Sequence, residues 1–253
     1  MIIKLVSYPT WNRLSSKQRK LRISSVVEIL NEKDADFVMF SEWVFNSKED
    51  LNTVCQLVHN AEVTALFELK LSRNLVGNQL FLLQNGKIVD LNTHQIFSKH
   101  EDATEENIER LLGELECHRQ FMVGEKRFLV IQCGENNILK TQRGVKNKAE
   151  FRLQNRDLKR RFDKVIDNVD VILNPVHTKW GRFYDFTCRL YKFSEKNKCC
   201  LYCSQLEGNQ LVNAIKNPEK NTAQRVMKSR RLLSPLFCSD ISNQDYLLQA
   251  YEI

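Results

Sequence analysis

Short apolar runs alternate with longer amphipathic stretches from the start of the chain. The runs 2–6 and 36–40 have the length and continuous apolar character of buried strands. Each run is followed by apolar residues that recur at helical spacing, within 14–30 and 51–58. The pattern therefore predicts that the chain opens with two consecutive strand and helix units.

From residue 63 the pattern becomes that of antiparallel strands. The segments 78–83 and 87–91 are joined by Asn85-Gly86, the dipeptide that most favours a type I′ hairpin turn. The alternation then resumes, with helices predicted over 104–116, 151–166 and 184–193, and strands over 127–132, 170–173 and 199–204. No linker rich in Pro, Gly or Ser and no internal repeat divides the chain, so one α/β domain with mixed sheets is predicted.

Composition narrows the class of protein. The 253 residues are 42% hydrophobic and 27% charged, which is enough apolar material for a globular core and excludes disorder. No apolar run approaches the ~20 residues that a membrane-spanning helix needs. Residues 1–5 lead directly into a strand-like run, without the charged segment and apolar core of a secretory signal. We therefore expect a cytoplasmic protein with no membrane partner.

The eight cysteines are scattered irregularly, unlike the disulfide framework of a small secreted domain. Cys200 and Cys203 have C-x-x-C spacing, but no second such pair and no histidine pair completes a zinc site. Buried free thiols are favoured over a metal or redox pair. The sequence thus predicts no metal site.

Positive charge is concentrated in the second half of the chain. Residues 141–253 carry 21 Lys and Arg against 12 Asp and Glu, whereas residues 1–140 carry 17 against 19. Clusters at 159–161 and 228–231 could form a face for a polyanion. Neither cluster is interleaved with aromatic residues or accompanied by a nucleic-acid-binding motif. A solvated helix face is the favoured interpretation, and nucleic acid is retained as a less favoured partner.

Four reactive side chains follow predicted strands: Glu42, Lys99, Cys133 and His177. In α/β sheets the carboxyl ends of strands converge, so such side chains can share one site. A carboxylate can take the proton of a thiol, while an ammonium favours the thiolate and an oxyanion. Taken singly, Cys133 would more often be core filler, and Glu42 or Lys99 a solvated charge.

The motifs around these residues resemble those of the nitrilase superfamily of carbon–nitrogen hydrolases. They occur in the family's order, as Phe40-Ser41-Glu42, Phe97-Ser98-Lys99-His100, Val130-Ile131-Gln132-Cys133-Gly134-Glu135 and Asn174-Pro175-Val176-His177-Thr178 followed by Gly181-Arg182. The resemblance covers residues 1 to about 205. It implies a four-layer α-β-β-α sandwich with two mixed sheets, in a single domain over 1–253 whose segment 206–253 is a C-terminal extension.

The resemblance also implies a mechanism. Glu42 would deprotonate Cys133, the sulfur would attack an amide or carbamoyl carbon, and Lys99 and the Gly134 N–H would hold the oxyanion. Water would then hydrolyse the thioester, with no cofactor. Family members often carry a second glutamate after the lysine, and of the candidates Glu101, Glu105, Glu106 and Glu109, Glu106 is favoured. The implied partners are a small-molecule amide substrate and further copies of the chain in a homodimer or larger assembly.

Several neighbours of these motifs are predicted to contact the substrate. Most have a structural alternative: Glu135 bracing the turn after the strand, His177 bonding its own loop, Arg182 pairing with Asp185, and Trp43 lying in the core. Gly134 is also a departure, because the family often has an aromatic residue there. The predicted substrate-binding set is Trp43, Gly134, Glu135, His177 and Arg182.

Two other functions fit the same sequence. The thioester could be transferred to an amine or a phospholipid-type acceptor if the pocket excluded water. Alternatively, a non-catalytic protein of this fold could use its basic second half to bind a polyanion. Hydrolysis of a non-peptide carbon–nitrogen bond is the favoured hypothesis.

Overall fold

The computed structural model describes residues 1–9, 14–45, 47–70, 78–142, 145, 148–176, 183–206, 222–238 and 246–253, with the backbone alone at 183–184. The first half contains β1 (Ile2–Ser7), α1 (Ser16–Asn31), β2 (Phe37–Phe40), α2 (Lys48–Leu57), β3 (Thr64–Lys70), β4 (Asn78–Gln84), β5 (Lys87–His94), α3 (Glu105–Cys117), β6 (Gln120–Val123) and β7 (Lys126–Val130).

The second half begins with a 3₁₀ helix, Cys133–Ile138. It continues with β8 (Leu139–Thr141), β9 (Ala149–Phe151), α4 (Arg156–Asp167), β10 (Val171–Val176), α5 (Phe183–Phe193), β11 (Cys199–Ser204), β12 (Gln224–Lys228), β13 (Arg231–Leu232), β14 (Phe237–Cys238) and β15 (Leu247–Glu252). The order of elements over 1–204 follows the predicted alternation.

Two large mixed sheets face each other. One has the strand order β14-β15-β1-β2-β3-β4-β5, and the other has the order β13-β12-β11-β10-β7-β6. Apolar side chains from both sheets form the layer between them, where the Phe37 and Phe128 rings lie 4.9 Å apart. A second apolar cluster packs α1 and α2 on the first sheet, and a third packs α3, α4 and α5 on the other. The result is the expected α-β-β-α sandwich.

Local sequence signals explain several element boundaries. Asn85 and Gly86 both have positive φ, as the predicted type I′ turn between β4 and β5 requires. Helix α4 begins later than predicted, because the Asn155 side chain accepts the N–H groups of Asp157 and Leu158 and caps the helix there. Phe151, predicted as the first residue of this helix, belongs instead to β9, which pairs with β8.

The segment predicted as a C-terminal extension supplies strands to both sheets. β12 pairs with β11, and β15 pairs with β1 over six residues inside the seven-stranded sheet. The last strands carry buried apolar residues, including Val226, Leu247 and Tyr251. This segment therefore completes the sandwich. Among the helices in the described ranges, none is long and apolar enough to cross a membrane.

Candidate active site

Glu42 is held at the carboxyl end of β2 by an unusual backbone conformation. The next residue, Trp43, has a φ of 58°, a region that bulky side chains rarely adopt. Two hydrogen bonds fix this turn: the Trp43 N–H donates to the Glu68 carbonyl at 2.9 Å, and the Gln205 amide donates to the Glu42 carbonyl at 2.7 Å. Such strain persists only where the surroundings enforce it, and it is often found at functional sites.

Cys133 lies where the chain turns out of the second sheet. The N–H of Ile131 still bonds the Leu173 carbonyl at 2.9 Å, and the 3₁₀ helix then begins at Cys133. The Cys133 N–H donates to a Glu42 carboxylate oxygen at 3.2 Å. Cys133 is 6% exposed and Glu42 is fully buried. Two residues 91 positions apart, predicted as nucleophile and base, are thus brought together from opposite sheets.

Gly134 allows the turn at Cys133 to contact the loop that carries Lys99. A Cβ atom at position 134 would lie 2.1 Å from the Ser98 carbonyl oxygen and 2.2 Å from its Cα. The Asn137 side chain also donates to the Ser98 carbonyl, at 3.1 Å. The backbone of Ser98 fills the space that an aromatic side chain at position 134 would need, which explains this departure from the family pattern.

Gly134→Ala is expected to lower the free energy of unfolding by about 3 kcal/mol, because the new methyl group meets rigid backbone rather than a flexible side chain. Gly113→Ala is the matched control, since its Cβ would meet no atom within 4 Å in α3. That change should be neutral or stabilise the protein by up to about 1 kcal/mol. Denaturant unfolding of both variants measures the difference; equal stability would contradict the close approach at Gly134.

Glu135 is committed to holding the backbone around the nucleophile. Its carboxylate accepts the Ile96 N–H at 2.7 Å and the Gln132 N–H at 3.0 Å, and it forms a bidentate ion pair with Arg119. Arg119 and Glu135 are both fully buried, and Arg119 also donates to the Thr93 hydroxyl and the His94 carbonyl, each at 2.8 Å. Of the two predicted roles for Glu135, the geometry favours bracing over substrate contact.

Two asparagines support the same turn, Asn174 from β10 and Asn136 from within the 3₁₀ helix. The Asn174 amide donates to the Ile131 carbonyl at 2.6 Å, and its oxygen accepts from the Asn136 side chain. Asn136 in turn donates to the Cys133 carbonyl at 3.3 Å. The Asn174-Pro175 motif found in the sequence therefore acts on the candidate nucleophile through its asparagine.

The structure, over the residues that it describes, does not place the remaining predicted residues in contact with Glu42 or Cys133. Lys99 is exposed, and its ammonium makes no hydrogen bond or ion pair with the described part of the chain. Its backbone N–H donates to the Asp102 carboxylate at 3.4 Å, and its carbonyl accepts the Asp102 N–H at 3.3 Å. Glu106 is exposed in the first turn of α3. His177 and Arg182 lie outside the described residues. The roles of all four stay predictions.

Trp43 is half-buried beside Glu42, and the Lys70 ammonium lies 4.0 Å from its ring centroid. This geometry is that of a cation–π contact. It brings Lys70, which belongs to none of the sequence motifs, to the residue next to Glu42. The role of Trp43 as a substrate contact stays a prediction.

Over the described ranges, no group of three or more His, Cys, Asp or Glu side chains is arranged to hold a metal ion.

The buried cysteines of β11 differ from Cys133 in their surroundings. Burial raises the pKa of Cys199 and of Cys203 to about 12, and it raises that of Cys200 well above the usual thiol value. Such thiols carry almost no thiolate at neutral pH and are poor nucleophiles. All eight cysteines are free in the structure.

Solved structures share this architecture at low sequence identity. An amidase of the nitrilase superfamily from Nesterenkonia has a TM-score of 0.55 and 9% identity, over 99% of this chain and 90% of that one. A CN-hydrolase superfamily protein from Xanthomonas campestris, with an arsenic adduct in its active site, has a TM-score of 0.52 and 12% identity over 99% and 90%. A glutamine-dependent NAD⁺ synthetase from Cytophaga hutchinsonii has a TM-score of 0.58 and 10% identity, over 99% and 42%.

The chain thus has the fold of the nitrilase superfamily, as the motif resemblance implied. It spans 42% of the length of the synthetase, and nearly the whole length of the amidase. No protein-family model and no curated protein matches the sequence.

Proposed function

We propose that this chain hydrolyses the carbon–nitrogen bond of a small amide or carbamoyl compound, with Cys133 as nucleophile and Glu42 as general base. The contact between the Glu42 carboxylate and the backbone of Cys133 carries the proposal. It places a carboxylate against the one cysteine that lies at a strand-to-helix turn on this fold. A variant of the Nesterenkonia amidase carries the acetamide moiety of fluoroacetamide on its active-site cysteine, which supports the same assignment here.

In the first half of the reaction, Glu42 takes the thiol proton and the Cys133 sulfur attacks the carbonyl carbon. A C–S bond forms, the carbonyl electrons move onto oxygen, and the N–H of Gly134 donates to that oxyanion. When the tetrahedral intermediate collapses, the C–N bond breaks and Glu42 delivers its proton to the leaving nitrogen. The products of this half are a thioester on Cys133 and ammonia or an amine.

Water completes the cycle. Glu42, again a carboxylate, takes a proton from a water molecule while the oxygen of that water attacks the thioester carbon. The C–S bond then breaks, the acid leaves, and the proton returns to the sulfur of Cys133. Lys99 is proposed to assist the oxyanion from the rim of the site, since its neighbour Ser98 packs directly against Gly134. The buried ion pair of Arg119 and Glu135 holds the segment before Lys99 and the turn at Cys133 together, because Glu135 also accepts the N–H groups of Ile96 and Gln132.

Alkylation with iodoacetamide at neutral pH tests the proposed nucleophile. Cys133 is expected to react at least about tenfold faster than the exposed Cys117, because a carboxylate base lies against it. Cys199 and Cys203 should not react in the folded protein, since burial raises the pKa of each to about 12. Peptide mass spectrometry reads the labelled sites over time.

Glu42→Gln supplies the control for this experiment. It should slow alkylation of Cys133 and leave the rate at Cys117 unchanged. The proposal would be abandoned if Cys133 reacted no faster than Cys55, Cys117 or Cys238, or if its rate did not depend on Glu42.

A further inference from the structure

Residues 228–238 form a segment, here named the edge strap, that crosses from one sheet to the other. It begins at the end of β12, turns into β13 at the edge of the six-stranded sheet, and ends in β14 at the edge of the seven-stranded sheet. Its backbone is tied to both sheets, because the Leu233 N–H bonds the Val226 carbonyl at 2.8 Å and the Leu236 N–H bonds the Ala250 carbonyl at 2.8 Å. The strap is therefore an ordered part of the surface.

The strap carries four large apolar residues, of which one packs inward and three are exposed. Leu233 packs against the core between the sheets. Leu232, Leu236 and Phe237 point outward and are 50%, 61% and 56% exposed. A single exposed leucine is ordinary, but three large apolar residues within six positions on one edge indicate an interaction surface.

Positive charge borders these apolar residues. Ser229 and Arg230 have φ values of 50° and 64° and form the tight turn between β12 and β13. The turn sets Lys228 directly opposite Arg231 in the strand ladder, a placement of like charges that disfavours folding. Arg230 pairs with Glu195 at 2.7 Å, whereas Lys228 and Arg231 form no ion pair with the described residues. This pair of cations is free to meet an anionic partner.

We propose that the edge strap docks the protein on a membrane surface that contains anionic lipid. Leucine and phenylalanine next to lysine and arginine are the combination that binds lipid interfaces, since the apolar groups enter the acyl boundary while the cations meet headgroups. Nucleic acid fits less well, because Leu232 and Leu236 offer neither stacking nor hydrogen bonds and Phe237 is the one exposed ring of the strap that could stack on a base. A second copy would bring the two like-charged straps together. Such docking would be contrary to the expectation of no membrane partner, and it does not depend on the proposed catalysis.

Co-sedimentation of the whole protein with lipid vesicles tests the docking. Phosphatidylcholine vesicles containing phosphatidylglycerol should sediment at least about tenfold more protein than vesicles of phosphatidylcholine alone, and added salt should weaken the binding. The double variants Leu236→Ser/Phe237→Ser and Lys228→Gln/Arg231→Gln should each lower the partition coefficient at least about tenfold. Since all four side chains are exposed, neither variant should melt below the wild type. Lys228→Gln/Arg231→Gln should melt at the same or a slightly higher temperature, because it removes two opposed like charges.

A matched control alters the same residue types on another face. Leu21 is 52% exposed on α1, near exposed Lys17 and Lys20, so Leu21→Ser/Lys17→Gln/Lys20→Gln should leave vesicle binding unchanged. The proposal is overturned if the wild type does not sediment with anionic vesicles at low salt, or if this control loses as much binding as the strap variants. Binding to duplex DNA or RNA without binding to vesicles would identify a different partner and also reject it.

Discussion

Cys133→Ala is expected to lower the rate of amide hydrolysis by at least about 10⁴-fold, because it removes the atom that forms the thioester. Cys133 is 6% exposed at the start of a 3₁₀ helix and packs in the core, so removing its sulfur atom should lower the free energy of unfolding by only about 1 kcal/mol. Glu42→Gln keeps the size of the side chain and should cost about 10²–10⁴-fold, the usual contribution of a general base. Release of ammonia from a panel of small amides measures both effects.

Cys238→Ala is the control for this prediction, since Cys238 is a half-buried thiol on the edge strand β14. Its turnover should equal that of the wild type, and circular dichroism should show all three variants folded, with melting temperatures within about 5 °C of the wild type. If Cys133→Ala retained wild-type turnover while folded, the assignment of the nucleophile would be wrong.

The second large effect is expected on stability. Arg119→Leu removes one partner of a fully buried ion pair and leaves the Glu135 carboxylate without its cation. Breaking such a pair costs about 3–5 kcal/mol, which corresponds to a fall in Tm of roughly 10 °C for a protein of this size. The turn at Cys133 should lose its anchor at the same time, because Glu135 holds the Ile96 and Gln132 N–H groups. Thermal and urea unfolding of the variant measure the loss.

Two further variants show whether the loss of stability comes from breaking the buried ion pair or would follow from replacing any arginine. Arg110→Leu changes an exposed arginine on α3 whose guanidinium, among the residues that the structure describes, reaches only the Asn107 side chain, at 3.3 Å. It should therefore alter stability by less than about 0.5 kcal/mol. Arg119→Leu/Glu135→Leu removes both charges and should be less destabilised than Arg119→Leu alone. Equal stability of Arg119→Leu and Arg110→Leu would show that the buried pair does not hold the structure.

The order of strands and helices could be predicted because it depends on local pattern. Continuous apolar runs identified β2, β7, β10 and β11, and Asn85-Gly86 identified the turn between β4 and β5. Two features could not be read this way. The start of α4 depends on whether 149–151 finds a strand partner in β8, and the placement of β15 beside β1 joins residues at opposite ends of the chain.

Some residues of the candidate site could likewise be predicted from the sequence, and others could not. Glu42 and Cys133 stand in recognisable motifs after apolar runs, and the structure brings them together. Arg119 has no such signal, because its importance comes from being enclosed between Thr93, His94 and Glu135, which only the packed structure shows. The reason for Gly134 is likewise visible only once Ser98 is placed against it. Lys99 lies in a motif, but sequence pattern does not report the exposure of its side chain.

Intact-protein mass spectrometry after acid quenching tests the central claim most directly. Wild type and Glu42→Gln would each be mixed with acetamide, propionamide or benzamide and quenched with acid during turnover, since a thioester survives at low pH. We expect a mass increase equal to the acyl group, located on Cys133 by peptide mapping and absent from Cys133→Ala. No acyl adduct on Cys133 with any amide, or the same adduct in Cys133→Ala, would contradict the account.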